Sequence, residues 1–364
     1  MNPNPPQKNK RIIKIGNVEV QSCVSLAPMA GITDLPLRQL IRRYSKNCLL
    51  TTEMISSEML MQNRKDGNMI LEREDNEFPL AYQLSGHKPS MMAAAAKKIE
   101  KYADIIDINM GCPVKKVVGG GDGSALMRTP QLASDIVKAI KDTVDVPVTV
   151  KFRLGYTAAE QNFMEFAKLM EESGADAMTI HCRTRAQMYA GQADWKAICN
   201  VKKEIKVPVF ANGDVVDIES AKKCLQESNA DGIAIGRGIL GNPDLIARIE
   251  HYLETGETLP DSDIFERIAL LKDHIEHEVK FRSERVAMQF VRKFYPYYLK
   301  GFQGASWYRN KLVQENGFVQ AMRILITLEE RLKEQSARQL YGKGNLQILK
   351  SNGQKILHIP DFNG

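Results

Sequence analysis

The sequence predicts an α/β fold: a (β/α)8 TIM barrel followed by a small all-helical domain and a C-terminal β-hairpin. Three observations carry this prediction. Eight short apolar runs alternate with amphipathic segments, the stretch from Ile264 to Leu340 shows only helical periodicity, and an Asn-Gly pair separates two apolar runs near the C-terminus. Eight β/α units in series favour a closed barrel, because a doubly wound sheet usually has fewer strands in line.

The segment before the first barrel strand has two parts. Residues 1–10 are polar and proline-rich, lack the apolar stretch of a signal peptide, and are predicted to form a disordered arm. Ile12–Ile15 and Val18–Val20 flank Gly16-Asn17, and this pattern predicts a β-hairpin that plugs the bottom of the barrel.

The barrel domain is predicted to span residues 11–258, close to the roughly 250 residues that this fold takes. Amphipathic segments such as Leu132–Asp142 and Ile218–Glu227 are predicted to form its helices. Its strands are predicted at Val24–Ala27, Leu49–Glu53, Leu80–Leu84, Ile105–Asn109, Val148–Lys151, Ala177–His181, Val207–Ala211 and Gly232–Ile235.

Beyond the barrel, the composition turns polar around Thr255–Asp263, which predicts a domain boundary there. Residues 259–340 are predicted to form the helical domain. Residues 341–364 are predicted to form the hairpin, because Leu346–Leu349 and Ile356–Ile359 flank an Asn352-Gly353 turn.

Composition limits the classes of protein that the chain can belong to. An apolar fraction of 43% permits a sizeable core, and no uninterrupted apolar run approaches the ~18 residues that a membrane span needs. The six cysteines show neither a C-x-x-C pair nor zinc-type spacing. We therefore expect a cytoplasmic protein with no metal site and no membrane partner. The sequence leaves the oligomeric state open, and a monomer is the default expectation.

Polar or turn-forming residues follow nearly every predicted strand. In a β/α barrel the active site lies at the C-terminal ends of the strands. We therefore predict an active site at the barrel mouth, built from Pro28-Met29-Ala30-Gly31, Glu53, Gln83, Asn109 to Cys112, Lys151 and Arg153, His181 and Arg183, Asn212-Gly213-Asp214, and Gly236-Arg237-Gly238.

The loops after the seventh and eighth strands indicate phosphate binding. Glycine at Gly213 and Gly236 would let backbone amides approach a phosphate, and Arg237 adds a fixed positive charge. Tight turns alone would also explain these glycines. The run Gly236–Gly241 matches G-x-G-x-x-G, but it lacks the following βαβ unit that a dinucleotide fold requires.

Two strand ends are suited to hold a flavin ring. Lys151 closes the fifth strand, where a buried cation needs a negative partner, and a reduced isoalloxazine ring would supply one. A lysine at the barrel rim that reaches solvent is the alternative. Gln83 could hydrogen-bond the edge of the same ring.

Cys112 is the candidate proton donor. It lies between Gly111 and Pro113 just past the fourth strand, so it is held in a loop and not packed in the core. A cysteine thiol ordinarily keeps its proton at neutral pH, which suits a general acid. The other five cysteines are expected to be structural.

The segment Asn109-Met110-Gly111-Cys112-Pro113, with Gly123-Ser124 after it, resembles the signature of the dihydrouridine synthases. The resemblance runs from about residue 20 to 330, and Val114-Lys115-Lys116-Val117-Val118 is most similar to the bacterial B-type branch. It implies an FMN-bearing barrel and a helical domain that together reduce tRNA uridines with NADPH. The glycine-rich loop Gly119–Gly123 and the C-terminal hairpin depart from the pattern of the branch.

The resemblance also implies roles for individual residues. Cys112 becomes the proton donor, Asn109 and Arg153 face the target uracil, and Tyr189 lies near it. The residues implied around FMN are Pro28, Met29, Ala30, Gln83, Lys151, His181, Asn212, Gly213, Asp214, Gly236 and Arg237.

The helical domain carries the signs of an RNA partner. Between Lys280 and Leu312 there are eight basic residues and one acidic residue, Glu284, interleaved with aromatic residues such as Tyr295, Tyr298 and Trp307. Basic residues neutralise phosphates and aromatic rings stack on unpaired bases. We expect Arg292 and Lys293 to contact RNA, although a solvated helical face over an aromatic core would show the same pattern.

Several alternatives stay open at the level of sequence. The chain could reduce a free pyrimidine or another small enone, or act on uridines of ribosomal RNA. A non-catalytic RNA-binding protein is a third possibility, against which Cys112, Lys151 and His181 argue. NADH could replace NADPH, and the position of the target uridine is not determined.

Overall fold

A computed structural model of the chain describes residues 12–62 and 69–350, so the predicted N-terminal arm lies outside it. The chain divides into two compact units, one up to Ser262 and one from Asp263 onward. The division falls within the polar segment Thr255–Asp263.

The first unit is a barrel of eight parallel strands, which follow the two strands of an N-terminal hairpin and are numbered β3 (Val24–Leu26), β4 (Leu50–Ser56), β5 (Leu80–Ser85), β6 (Ile105–Asn109), β7 (Val148–Arg153), β8 (Ala177–His181), β9 (Val209–Asn212) and β10 (Gly232–Ile235). From β4 to β10 each strand pairs with the next along the chain, and β10 pairs with β3. Contact between Ser25 of β3 and Leu49, directly before β4, closes the ring. The predicted TIM barrel is thus confirmed.

Some strands continue past their predicted ends into the polar residues of the mouth. In β7 the pairing with β8 reaches Arg153, which lies opposite His181. The apolar pattern ends at Val150, but the backbone ladder does not depend on side-chain polarity. Residues predicted to follow the strands, such as Arg153 and Asn212, are therefore held by the strands themselves.

An N-terminal hairpin lies under the barrel. Its strands β1 (Ile13–Ile15) and β2 (Val18–Val20) pair antiparallel, and Ile15 and Val20 are fully buried. At Gly16, with φ of +56°, an added Cβ would lie 2.7 Å from Cγ of Pro147, which directly precedes β7. The hairpin turn is therefore at the N-terminal ends of the strands, opposite the mouth.

Helices surround the barrel and make up the second unit. Those of the first unit include Leu35–Tyr44, Ser57–Met61, Pro89–Ile99, Lys115–Gly119, Pro130–Lys141, Phe163–Glu172, Val201–Glu204, Ile218–Ser228 and Leu245–Thr255. The second unit contains Ile264–Phe281, Glu284–Val291, Tyr295–Tyr298, Ala305–Gln314 and Phe318–Lys350. Within the ranges that the structure covers, no helix is both long and apolar enough to cross a membrane.

The prediction of a C-terminal hairpin is wrong for its first strand. Leu346–Leu349 lies within the helix Phe318–Lys350. Three apolar residues in four positions cannot be assigned to a strand or a helix by periodicity alone, and no proline interrupts the preceding helix. The predicted turn and second strand lie outside the described residues.

A buried ion pair anchors one of the loops at the mouth. Arg38, on the helix after β3, donates from Nε to Oε1 of Glu77 over 2.7 Å, and both side chains are almost completely buried. Its Nη1 donates to the carbonyl of Thr33 and its Nη2 to that of Glu72, each over 3.0 Å. Arg38 thus ties the loop after β3 to the loop before β5.

We predict that Glu77→Ala strongly destabilises the first unit, because it leaves the guanidinium of Arg38 buried without its counter-charge. Loss of one partner from a buried pair costs about 3–5 kcal/mol. Chemical denaturation measures the change. The control is Glu204→Ala, which removes an exposed partner of Lys168 and should leave the denaturation midpoint nearly unchanged. Equal losses for the two variants would contradict this account.

Candidate active site

The barrel brings the predicted strand-end residues together at one mouth. Strand register places Asn109 opposite Lys151, Arg153 opposite His181, and His181 opposite Asn212. A cavity extends inside the barrel from Ile15 to Pro28 and Lys151. Four consecutive strands therefore present polar side chains to one end of the barrel.

A buried carboxylate, Asp107 of β6, orients two amide side chains beside it. Its Oδ2 accepts a hydrogen bond from Nε2 of Gln83 over 2.7 Å, and its Oδ1 accepts one from the hydroxyl of Thr149 over 2.6 Å. Because a carboxylate only accepts, Gln83 must turn its NH2 group to Asp107 and its carbonyl to Asn109. Nδ2 of Asn109 donates to that carbonyl over 2.8 Å.

The orientation of Asn109 determines how the Cys112 loop is held. Its Oδ1 accepts from the backbone amides of Gly111 and Cys112, over 3.2 and 2.9 Å. On the other side, the amide and hydroxyl of Ser124 donate to the carbonyl of Cys112, over 3.1 and 2.9 Å. The loop is thus fixed from two sides, and Cys112 stays partly exposed.

Gly123 explains part of the glycine richness that follows Cys112. Its φ is +60°, and an added Cβ would lie 2.9 Å from the carbonyl oxygen of Cys112. A side chain at this position would be strained by the backbone and would collide with the loop that carries the thiol. Position 123 therefore requires glycine because it contacts the Cys112 loop.

Lys151 is a cation in a partly buried position. Burial and, to a smaller extent, the positive charge of Arg153 lower the pKa of its ammonium to about 8, although the carboxylate of Asp107 acts in the opposite direction. Burial in turn raises the pKa of the Asp107 carboxyl. The site therefore favours a negatively charged partner for Lys151.

His181 is held as a neutral ring with a defined tautomer. Burial, followed by the charges of Lys151 and the neighbouring arginines, lowers its pKa well below the ordinary value. Nη1 of Arg183 lies 3.4 Å from Nε2 of His181. A guanidinium has only donors, so Nε2 must accept and the proton must be on Nδ1. Nδ1–H is then a donor at the mouth.

Arg153 ties together the loops that surround the mouth. It donates to the carbonyls of Gly111, Thr184 and Met188 over 2.7, 3.0 and 2.8 Å. Burial lowers the pKa of its guanidinium to about 10. Nε and Nη1 make these bonds, so Nη2 is the group with which Arg153 could contact a substrate. Tyr189, half-exposed, lies between Arg153 and Arg237, with ring-to-guanidinium distances of 5.6 and 5.3 Å.

Arg183 has a larger part in the site than the sequence indicates. It donates to the carbonyls of Ala190 and Gly191, over 3.1 and 2.7 Å, and to Oδ2 of Asp214 over 2.6 Å. Asp214 also accepts from the amide of Ala193 over 2.7 Å. Its position two residues after a strand-end histidine indicates a place at the mouth, but its ion-pair partner Asp214 lies 31 residues further along the chain.

The loops after β9 and β10 offer free backbone donors. Among the residues that the structure covers, the amides of Gly213, Asp214, Gly236 and Arg237 donate to no protein acceptor. At Gly213, φ is +123° and an added Cβ would lie 2.8 Å from Cβ of Ala193, so only glycine fits. Free amides beside an arginine are a suitable environment for a phosphate.

Other predicted mouth residues lie on the loop after β3 and at the end of β9. Pro28 and Met29 are half-buried and Ala30 is exposed, and the amide of Met29 donates to the hydroxyl of Thr33 over 3.1 Å. The side-chain amide of Asn212 donates to the carbonyl of Ala234 over 2.7 Å. Asn212 thus joins β9 to β10.

The second unit contains the predicted RNA contacts Arg292 and Lys293. Arg292 donates to the carbonyl of Glu315 and to Oδ1 of Asn316, over 3.3 and 2.9 Å. The ammonium of Lys293 is 3.2 Å from the centre of the Phe290 ring. Of the aromatic residues in this stretch, those buried in the core are Phe294, Tyr295, Tyr298 and Tyr308, whereas Tyr297 and Trp307 are exposed.

Comparison with known proteins identifies sequence relatives. Residues 25–337 match the sequence profile of the dihydrouridine synthase (Dus) family. A protein of Rickettsia conorii named "Probable tRNA-dihydrouridine synthase" is 40% identical over 324 residues, which are 89% of this chain and 96% of that protein. tRNA-dihydrouridine synthase B of Pseudomonas aeruginosa is 38% identical over 299 residues, or 82% and 90% of the two chains.

Comparison with solved structures identifies proteins with the same fold. A 2-naphthoyl-CoA reductase complex matches with a TM-score of 0.53 and 12% identity over 67% of this chain and 52% of that one. The old yellow enzyme from Trypanosoma cruzi matches with a TM-score of 0.50 and 13% identity over 71% and 95%. At these identities the likeness shows a shared barrel fold alone.

We predict that Asp107→Asn loosens the Cys112 loop. Asparagine can present its NH2 group to Gln83, which allows Gln83 and Asn109 to reverse and turns a donor toward the amides of Gly111 and Cys112. Amide hydrogen exchange of that peptide should become roughly tenfold faster, the equivalent of about one hydrogen bond.

The matched control is Thr149→Val. It removes a hydrogen bond to the same carboxylate but leaves that carboxylate an acceptor, so exchange at Gly111 and Cys112 should stay slow. If these two amides exchange as slowly in the Asp107→Asn variant as in the wild type, Asp107 does not orient the loop.

Proposed function

Because this chain belongs to the dihydrouridine synthase family, we propose that it reduces the C5–C6 double bond of specific uridines in tRNA to 5,6-dihydrouridine, with FMN at the barrel mouth and NADPH as the reductant. The observation that carries the proposal is the Cys112 loop. A partly exposed thiol is held from two sides, next to a strand end that presents Lys151.

The mouth has the chemical groups that FMN requires. The free amides of Gly213, Asp214, Gly236 and Arg237, with the Arg237 side chain, suit its phosphate. The ammonium of Lys151 and the Nδ1–H of His181 suit the electron-rich edge of the ring. Pro28, Met29, Ala30, Gln83 and Asn212 would complete the surroundings of the cofactor.

Reduction of uracil needs a hydride and a proton. FMN, when bound, supplies the hydride. The C5–C6 double bond is conjugated with the C4 carbonyl, so addition at C6 places negative charge on C5 and O4. Cys112 then gives the proton on its Sγ to C5 as a general acid. Its loop fixes the direction from which that proton arrives.

Neighbouring residues would hold the uracil during this step. Nη2 of Arg153 is suited to donate to a uracil carbonyl and stabilise the developing charge. Asn109 has one N–H beyond the bond to Gln83, which it could offer to the base. Tyr189 presents a half-exposed ring near both arginines, on which a base could stack.

The RNA must present its base outside the helical stack. A stacked uridine cannot enter a barrel mouth, so the nucleotide must turn out into the site. Phosphates elsewhere in the tRNA would contact the second unit, where Lys293 is exposed and Arg292 is partly so. These two residues are the proposed contacts there.

The test of the proposal is anaerobic reoxidation of the bound flavin. The purified protein, loaded with FMN and reduced with NADPH, is mixed with unmodified tRNA, with ribosomal RNA, or with free uridine. We expect the absorption of oxidised flavin to return only with tRNA. Reoxidation by ribosomal RNA or free uridine alone would replace tRNA as the substrate, and no reoxidation by any of them would refute the activity.

We predict that Cys112→Ala lowers the rate of flavin reoxidation by tRNA by about 10²- to 10⁴-fold and leaves tRNA affinity unchanged, because only proton delivery is lost. Stopped-flow absorbance and a binding titration measure the two quantities. Cys199→Ala, at the other partly exposed cysteine, should change neither. A parallel loss of tRNA affinity in Cys112→Ala would contradict the role as general acid.

The affinity for FMN should depend on the protonation of Lys151. The pKa of this ammonium is about 8 without ligand, and an anionic ligand raises it. Affinity should therefore be constant from neutral pH to about 8 and fall at higher pH, as the cation is lost. Quenching of flavin fluorescence measures the affinity.

Two variants separate the charge of Lys151 from its shape. Lys151→Arg keeps its proton throughout this range, so its pH dependence should flatten. Lys151→Met should bind FMN weakly at every pH. A wild-type affinity that does not change between neutral pH and strongly alkaline pH would rule out a charge interaction at this position.

A further inference from the structure

The barrel unit carries a group of cationic residues near the mouth that the proposed chemistry does not use. Lys115 and Lys116 begin the short helix after the Cys112 loop and are exposed. Arg128 ends the following 3-10 turn, and Arg185 lies on the loop after β8. With Tyr156, which lies between the two arginines, we call these residues the basic collar.

The arginines of the basic collar are held in place by an aromatic ring. The guanidinium of Arg128 lies 4.8 Å from the centre of the Tyr156 ring, and that of Arg185 lies 5.0 Å from it. Stacking of this kind leaves the N–H edges of a guanidinium available. Both side chains are thus partly ordered before any ligand arrives.

Backbone hydrogen bonds join the two loops that carry this stack. The amide of Arg185 donates to the carbonyl of Gly155, and the amide of Ala186 donates to that of Tyr156, each over 2.9 Å. Arg153 adds a bond to the carbonyl of Thr184 on the same loop. The stack therefore rests on the same framework that holds the Cys112 loop.

The acidic residues of these loops already have partners. Asp122 pairs with His87 at 2.7 Å, Asp194 accepts from the amide of Ala197, and Asp214 pairs with Arg183. Glu160 is 3.5 Å from Arg128, but both side chains are about half-exposed and the pair is weak.

Three cations of the collar are therefore uncompensated. In the part of the chain that the structure covers, Lys115, Lys116 and Arg185 form no ion pair with a carboxylate. Lysines at the start of a helix also oppose its dipole, so local helix stability does not explain Lys115 and Lys116. Their charge is available to a ligand.

We propose that the basic collar binds the phosphate backbone of the RNA strand on either side of the uridine in the mouth, and so gives the barrel unit its own RNA-binding surface. This inference rests on the proposed function for the identity of the RNA. A nucleotide turned out of its stack exposes the flanking phosphates, which arginine and lysine bind through charge-assisted hydrogen bonds.

The test compares two triple variants with the same loss of charge. Lys115→Gln/Lys116→Gln/Arg185→Gln removes three cations of the collar. Lys97→Gln/Lys138→Gln/Lys203→Gln removes three exposed lysines from the last turns of barrel helices, which precede the next strand and so lie at the end of the barrel opposite the mouth. Affinity for an unmodified tRNA transcript is measured as a function of KCl concentration.

In the collar variant, the slope of log affinity against log salt should be less steep by about 2, because each phosphate contact of a single strand contributes about 0.7 to the steepness. At saturating tRNA its rate of flavin reoxidation should equal that of the wild type, and its reduction by NADPH should not change. The control variant should keep the wild-type slope.

The outcomes separate this inference from the proposed function. A collar variant with the wild-type slope, or a control variant with the same loss of slope, would overturn the inference. A collar-dependent slope in a protein whose reduced flavin does not react with tRNA would support the RNA-binding surface and refute the reaction.

Discussion

The arrangement of the mouth depends on one constraint: the buried carboxylate of Asp107 can accept hydrogen bonds but cannot donate them. It fixes the direction of the Gln83 amide, and through it that of Asn109. Asn109 then presents the acceptor that the amides of the Cys112 loop require. Asp107 also opposes the effect of burial on the pKa of Lys151, because its negative charge stabilises the ammonium form. The carboxylate of Asp107 thus affects both how the Cys112 loop is held and the pKa of the Lys151 ammonium.

Four arginines near the mouth divide into two groups by their burial. Arg153 and Arg183 are buried and donate to backbone carbonyls of the loops after β6 and β8, so they give those loops their shape. Arg185 and Arg237 lie nearer to solvent and stack on tyrosine rings. The first group builds the mouth and the second leaves charge available at it. Loops that are fixed by buried arginines can hold exposed cations in place, and each exposed cation then does not need its own carboxylate partner.

The sequence predicts the barrel well, because each buried parallel strand is a short apolar run and each is followed by polar residues. It also predicts which residues meet at the mouth, since strand ends converge in a closed barrel. It does not show that Arg153 ties loops together, or that Arg183 pairs with Asp214, because those partners are distant in the chain. Leu346–Leu349 was misassigned because three apolar residues in four positions fit a helix as well as a strand.

The central claim is that the flavin-loaded barrel reduces uridine within tRNA. The most direct measurement is mass spectrometry of the nucleosides released from an unmodified tRNA after incubation with the FMN-loaded protein and NADPH. The account predicts that dihydrouridine appears and that an equal amount of uridine is lost. Unchanged uridine, in the presence of protein whose flavin NADPH has reduced, would contradict it.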